Sequence, residues 1–102
     1  MHPLVEAWRE EIAEVCRRYH VRRLDVFGSA TSERFDPAAS DVDFIVEFDP
    51  DRSLDALRQY FGLKESMEAL FGIPVDLVIS GAVTNPYLRA SMERSRETLY
   101  AA

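Results

Sequence analysis

The sequence predicts an α/β fold of the α+β type, a mixed β-sheet with helices packed against it. Three observations carry that expectation. Apolar residues recur at helical spacing near the start and again in the middle of the chain. Three β-rich runs, each bounded by glycine or proline, separate the helical ones. The resulting order, α-β-β-α-β-α and then a short final strand, fits helices laid on a sheet whose strands run both ways. The chain has 102 residues and 11.7 kDa, which suits a single domain over residues 1–102 with one core.

Each element has a local reason. Over residues 4–19, Leu4, Val5, Trp8, Ile12, Val15, Cys16 and Tyr19 form an apolar stripe, with Glu6, Arg9, Glu10, Glu14, Arg17 and Arg18 on the other face. Early glutamates and late arginines suit the helix dipole. Residues 21–28 are β-rich and end at Gly28-Ser29. Residues 30–40 lack a period and contain Asp36-Pro37, so they read as a loop. Residues 41–48 alternate acid with apolar and then become almost wholly apolar, as in a strand with one end covered on both faces. Ser53 is the expected N-cap of a second helix ending near residue 71, with Gly62 weakening its middle and Gly72 stopping it. Residues 75–79 form a short strand after Pro74. Asn85-Pro86 opens a third helix over 86–94, and Glu97-Thr98-Leu99-Tyr100 is a last short strand.

Composition narrows the function. Acids outnumber bases 18 to 12, for a net charge of −6, so a general grip on nucleic acid is not expected. No apolar run approaches the roughly 20 residues that cross a bilayer. The lone Cys16 and the Met1-His2-Pro3-Leu4 start point to a reducing cytoplasm, and Cys16 to an ordinary buried thiol. His2 and His20 have no zinc-ligand spacing. The basic run Arg17–Arg23 reads as a helix C-terminus and strand start rather than an RNA or protein grip. The acid is local: residues 25–55 hold nine acids and only Arg34 and Arg52, a balance of −7. Either a solvated loop or a bound divalent cation would relieve that crowding.

Three features favour the cation. Gly28-Ser29 ends a strand, where glycine allows a tight turn and the amides and Ser29 hydroxyl can meet phosphate oxygens. Asp41 and Asp43, two apart, project to the same side of a strand and repel one another unless a cation lies between them. Oxygen ligands of this kind suit Mg²⁺ or Mn²⁺. Asp76 sits inside an apolar strand, where burial requires either coordination or an ion pair with an arginine. Glu47 shares the Asp43 face but lies about 13 Å further along the strand, too far for a common centre.

The run Val26-Phe27-Gly28-Ser29-Ala30, then Ser40-Asp41-Val42-Asp43-Phe44-Ile45-Val46, resembles the minimal nucleotidyltransferases of the DNA polymerase β-like superfamily. Pro74-Val75-Asp76-Leu77-Val78 and Asn85-Pro86-Tyr87-Leu88-Arg89 extend the resemblance over most of the chain. It implies that Gly28 and Ser29 hold nucleotide phosphates, and that Asp41, Asp43 and Asp76 bind two Mg²⁺ ions, or Mn²⁺, and form the catalytic set. Two departures stand out. Eleven residues separate Ser29 from Asp41 where the family often has ten. A glycine usual soon after the serine is missing, and Arg34 stands where an arginine could take up the nucleotide-binding role.

The reaction so implied is transfer of AMP from ATP to a hydroxyl. Small chains resembling this one commonly serve as the antitoxin of HEPN/MNT modules, in which the partner is a HEPN ribonuclease toxin silenced by adenylylation of a tyrosine. Two other readings remain open: an inactive member that neutralises its partner by covering it, and a small-molecule nucleotidyltransferase. Arg52, Arg58 and Lys64 are all within plausible reach of a triphosphate, and the sequence does not choose among them. Nor does it fix the oligomeric state.

Overall fold

The computed structural model describes residues 3–28, 41–50 and 54–102. The elements in chain order are α1 (Pro3–Ala7), α2 (Arg9–Arg18), β1 (Val21–Phe27), β2 (Val42–Phe48), α3 (Ala56–Phe71), β3 (Val75–Ile79), α4 (Pro86–Ser95) and β4 (Glu97–Ala101). The mixed sheet runs β3-β2-β1-β4. β1 is antiparallel to β2 and β4, whereas β2 and β3 are parallel. The predicted class, order and closing strand are all present.

Two local expectations change. The first helix is not continuous: Trp8 leaves helical geometry (φ −100°, ψ 12°), so the stripe over 4–19 belongs to a short turn of helix and a second, longer one. Both pieces bury apolar residues, Val5 in the first and Ile12, Val15 and Cys16 in the second, which is why the period runs through the break. The N-cap of α3 is Asp55, whose carboxylate accepts from the Arg58 amide at 2.8 Å. Ser53, the expected cap, lies outside the described residues, as does the predicted loop over 30–40. Gly72 ends α3 in the left-handed region, and Asn85 caps α4 by accepting from the Tyr87 and Leu88 amides, both as the sequence predicts. Gly62 is explained by packing: a Cβ there would run into the Tyr19 ring.

The two faces of the sheet are covered differently. Val42, Phe44 and Val46 of β2, with Leu24 and Val26 of β1, join Ile12, Val15, Leu63 and Met67 of α2 and α3 in the main core. The alternating β2 residues Asp43 and Ile45 therefore face the other way, toward α4. Met92 of α4 is buried and shares a cleft with Ile45, and the end of α4 bonds to β1 through Ser95 and Arg96. The outer edge of β3 is sealed by α3: Tyr60 donates to the Leu77 carbonyl at 2.8 Å, and Glu68 accepts from the Val75 amide at 3.1 Å. No described helix is long and apolar enough to cross a membrane.

Candidate active site

The site forms where three strand ends meet on the α4 side. Asp43, the second residue of β2, is paired in register with Phe27 at the end of β1 and with Asp76, the second residue of β3. Sheet pairing thus brings together carboxylates more than thirty residues apart in sequence. Asp41 lies exposed just before β2, Asp43 is half-buried and Asp76 is exposed. Partial burial pushes the Asp43 carboxyl up to about 6, helped by a hydrogen bond with Asp76 and by the negative charges of Asp76 and Asp41. Among the described residues no basic side chain pairs with Asp43.

Gly28 completes this corner. It takes a φ of +72°, and a Cβ built on it would lie 2.8 Å from the Asp43 carboxylate oxygen. Both the backbone conformation and the close approach therefore call for glycine. Its amide donates to the Ser95 hydroxyl at 3.0 Å. Ser29 and Arg34, the other two expected nucleotide-binding residues, lie outside the described residues.

The arrangement corrects one expectation about burial. The sequence makes Asp76 the acid that burial would penalise, with an arginine pair as the alternative to coordination, yet Asp76 is exposed. The arginine-paired acid is Asp25. It is fully buried on β1 and accepts from Arg96 Nε at 2.6 Å and Arg23 Nε at 3.0 Å. Burial pushes its carboxyl up, but the hydrogen bonds from Arg96, Arg23 and Thr98 and the Arg96 charge outweigh that and hold it below the usual range. Its place in Leu24-Asp25-Val26, an acid between apolar residues of a strand, was the available signal.

Other acids of the crowded 25–55 segment are also neutralised locally. Arg22 donates to Asp49 at 2.7 Å and to Glu47 at 3.3 Å. Asp41 and Asp43 are left without such a partner among the described residues.

No three acidic, histidine or cysteine side chains among the described residues stand close enough to enclose a metal ion. The donor set nevertheless fits a hard divalent cation. Asp43 and Asp76 are in hydrogen-bond contact, Asp41 adds its field, and all are oxygen ligands. Mg²⁺ keeps several waters and takes only one or two carboxylates plus substrate phosphates, so it does not need a closed protein cage. A cleft of about 550 Å³ lies elsewhere, lined by Tyr19, Leu57, Arg58 and Phe61 among others and by none of these aspartates.

A strand-end glycine against a carboxylate pair on adjacent strands is an arrangement able to take a divalent cation and phosphate oxygens. The family model for the nucleotidyltransferase domain matches residues 9–99, and the chain belongs to that family. A candidate protein adenylyltransferase of Methanocaldococcus jannaschii, MJ0128, is 42% identical over 77 residues, 74% of each chain. The structure of a candidate minimal nucleotidyltransferase superposes with a TM-score of 0.75 at 31% identity, covering 95% of both chains. The MNT antitoxin complex with a tri-AMPylated HEPN toxin from Shewanella oneidensis shares the fold, with a TM-score of 0.65 at 17% identity, over 96% of this chain and 73% of that one. The protein is thus an enzyme of the nucleotidyltransferase kind, built on the minimal fold.

Proposed function

We propose that the protein transfers AMP from ATP, with Mg²⁺, to a tyrosine hydroxyl of a partner HEPN ribonuclease toxin and so acts as its antitoxin. The observation that carries the chemistry is the carboxylate corner of Asp41, Asp43 and Asp76 against Gly28, a corner that has no basic partner among the described residues. The acceptor class is supported by the M. jannaschii relative's description as a candidate protein adenylyltransferase. The HEPN partner is supported by the fold shared with an antitoxin bound to an AMPylated HEPN toxin.

In this reading the acceptor oxygen bonds to the α-phosphorus of ATP, the bond to the β-phosphate bridging oxygen breaks, and pyrophosphate leaves with that electron pair. The hydroxyl proton passes to a carboxylate. Asp76, which is exposed, would receive it. Asp41 and Asp43 would hold Mg²⁺, with Asp76 contributing on the acceptor side. The bound cations supply charge neutralisation of the triphosphate and of the leaving pyrophosphate. Gly28 keeps the strand end close to the Asp43 carboxylate, and Ser29 and Arg34 would contact the nucleotide.

The test is incubation of the purified chain with radiolabelled ATP and Mg²⁺, with and without the product of the neighbouring gene. The expected result is label on a tyrosine of the partner, absent with Asp43→Asn. A tight complex with a silenced partner and no label would instead establish a binding antitoxin. Label on neither protein, with no complex, would remove the reading altogether.

A further inference from the structure

Among the described residues, exposed large apolar side chains gather on two helices that cover opposite faces of the sheet. Leu57 and Phe61 stand out from α3, on the face away from Asp43. Tyr87 and Leu88 belong to α4, on the face that Asp43 shares. Tyr87 is 85% exposed and Leu88 50%, in a helix of ten residues whose one buried member is Met92. Between α4 and the strands lies a cleft of about 170 Å³, lined by Ile45, Ile79, Met92 and Arg89 among others. Ile45 follows Asp43 by two residues on the same face of β2, so the cleft is about 7 Å along the strand from the carboxylate corner.

The charge of α4 runs against that of the chain, which is −6 overall. Its exposed Arg89 and Arg94 make no ion pair among the described residues, while its single acid, Glu93, is tied to Arg96. Arg94 precedes Ser95, whose hydroxyl accepts from the Gly28 amide, so this arginine stands at the corner end of the helix. Tyr87 is seven residues earlier, about 10 Å by helical rise. Tyrosine and arginine are the residue types that most often anchor protein interfaces. A standard interface buries about 800 Å² on each partner and, if round, reaches about 16 Å from its centre. One centred on the corner spans the length of α4 and leaves Leu57 and Phe61 on the far face.

We propose that α4 is the docking element for the protein whose hydroxyl accepts AMP, with Tyr87 and Leu88 as apolar anchors and Arg89 and Arg94 selecting an acidic surface. The occupant presents carboxylates and an apolar contact beside its acceptor residue. Like charge keeps those carboxylates off the aspartate corner, so the arginines of α4 fix the register. This role rests on the proposed transfer to a protein, and the test separates the two.

The purified chain is paired with the product of the neighbouring gene. Affinity for that product, KM and kcat for its labelling, Mg²⁺·ATP binding and the melting point are measured for the wild type and four variants. These are Tyr87→Ser, Leu88→Ser, Arg89→Glu with Arg94→Glu, and Leu57→Ser. The three α4 variants should each weaken capture and raise the KM for the partner about tenfold, with kcat and Mg²⁺·ATP binding unchanged. The loss from the arginine pair should shrink as salt rises. Leu57→Ser, on the far face, should match the wild type. Unchanged capture and KM in Tyr87→Ser and in the arginine pair overturns the docking role and leaves the transfer reading standing. An equal loss in Leu57→Ser overturns it as well, and so does weakened Mg²⁺·ATP binding in the α4 variants, which would place the effect in the corner. If Leu88→Ser lowers the melting point, Tyr87→Ser and the arginine pair decide alone, since those side chains are exposed. A wild type that captures the partner without labelling it removes the transfer reading, and the capture series still decides the docking surface. A wild type that does neither removes both.

Discussion

Asp25 and Asp43 lie on adjacent strands and face the same side of the sheet, yet they are treated in opposite ways. Asp25, fully buried, is gripped by Arg96 and Arg23, and its carboxyl is held below the usual range despite burial. Asp43, half-buried, has only acids among the described charged groups that bear on it, and its carboxyl rises to about 6. The protein has arginines to place: Arg22, Arg23 and Arg96 all neutralise acids within reach. Among the described residues no arginine serves the corner at Asp43, whereas Asp25, Glu47 and Asp49 each have one. A carboxylate with its counter-ion built in is structural, and one without is open to a cation from solution.

The largest expected break in this contrast comes from Asp43→Asn. Transfer should fall by on the order of a thousandfold, because the acid at the centre of the corner is lost. The melting point should hold or rise, since a repulsive contact with Asp76 is removed. A parallel fall in stability and activity would make Asp43 a structural residue like Asp25.

Arg96→Ala should do the reverse. It strands the buried Asp25 charge and should cost about 3–5 kcal/mol in urea unfolding, and a paired Asp25→Leu change should recover part of that. A cost under about 1 kcal/mol would show that Asp25 can neutralise itself by taking up a proton.

Mg²⁺ should sharpen the difference between the two acids. A cation that binds only the folded chain stabilises it by about 2.7 kcal/mol at a hundred times its dissociation constant. That gain should appear in the wild type and in Glu93→Ala, and vanish in Asp43→Asn.

The smallest effect is on pH. Asp25 binds its proton less tightly in the folded chain than in the unfolded one. Its stabilisation is therefore present above its ordinary value of 3.8 and lost as the pH falls through its lower folded value. Asp43 has the opposite sign. Its folded value lies above 3.8, so without a cation stability declines as pH rises from about 4 through about 6. Unfolding curves of Asp43→Asn should lack that decline, and a curve identical to the wild type would remove the shift.

Much of this was legible in the sequence because it depends on short-range rules. Period 3.6 and period 2 located the helices and strands, Gly72 and Asn85-Pro86 marked their ends, and Asp41-Val42-Asp43 displayed two acids at strand spacing. The break at Trp8 was not legible, since apolar residues on both sides of it feed the same core and keep the stripe intact. The N-cap shifted to Asp55 for a similar reason: a capping residue is suitable at several neighbouring positions, and packing of the helix chooses among them.

What the sequence determined by itself is the set of elements and the identity of the acids at strand ends, because backbone propensity, turn chemistry and side-chain alternation act within a few residues. Tertiary structure decided which acid is buried and which is paired. The parallel register of β2 and β3 put Asp76 beside Asp43, the covering by α4 sank Asp25 while leaving Asp76 exposed, and the end of α4 brought Ser95 to Gly28 across 67 positions. Those outcomes depend on strand register and on which helix covers which face. No local pattern encodes either, since both are set by contacts between residues far apart in the chain.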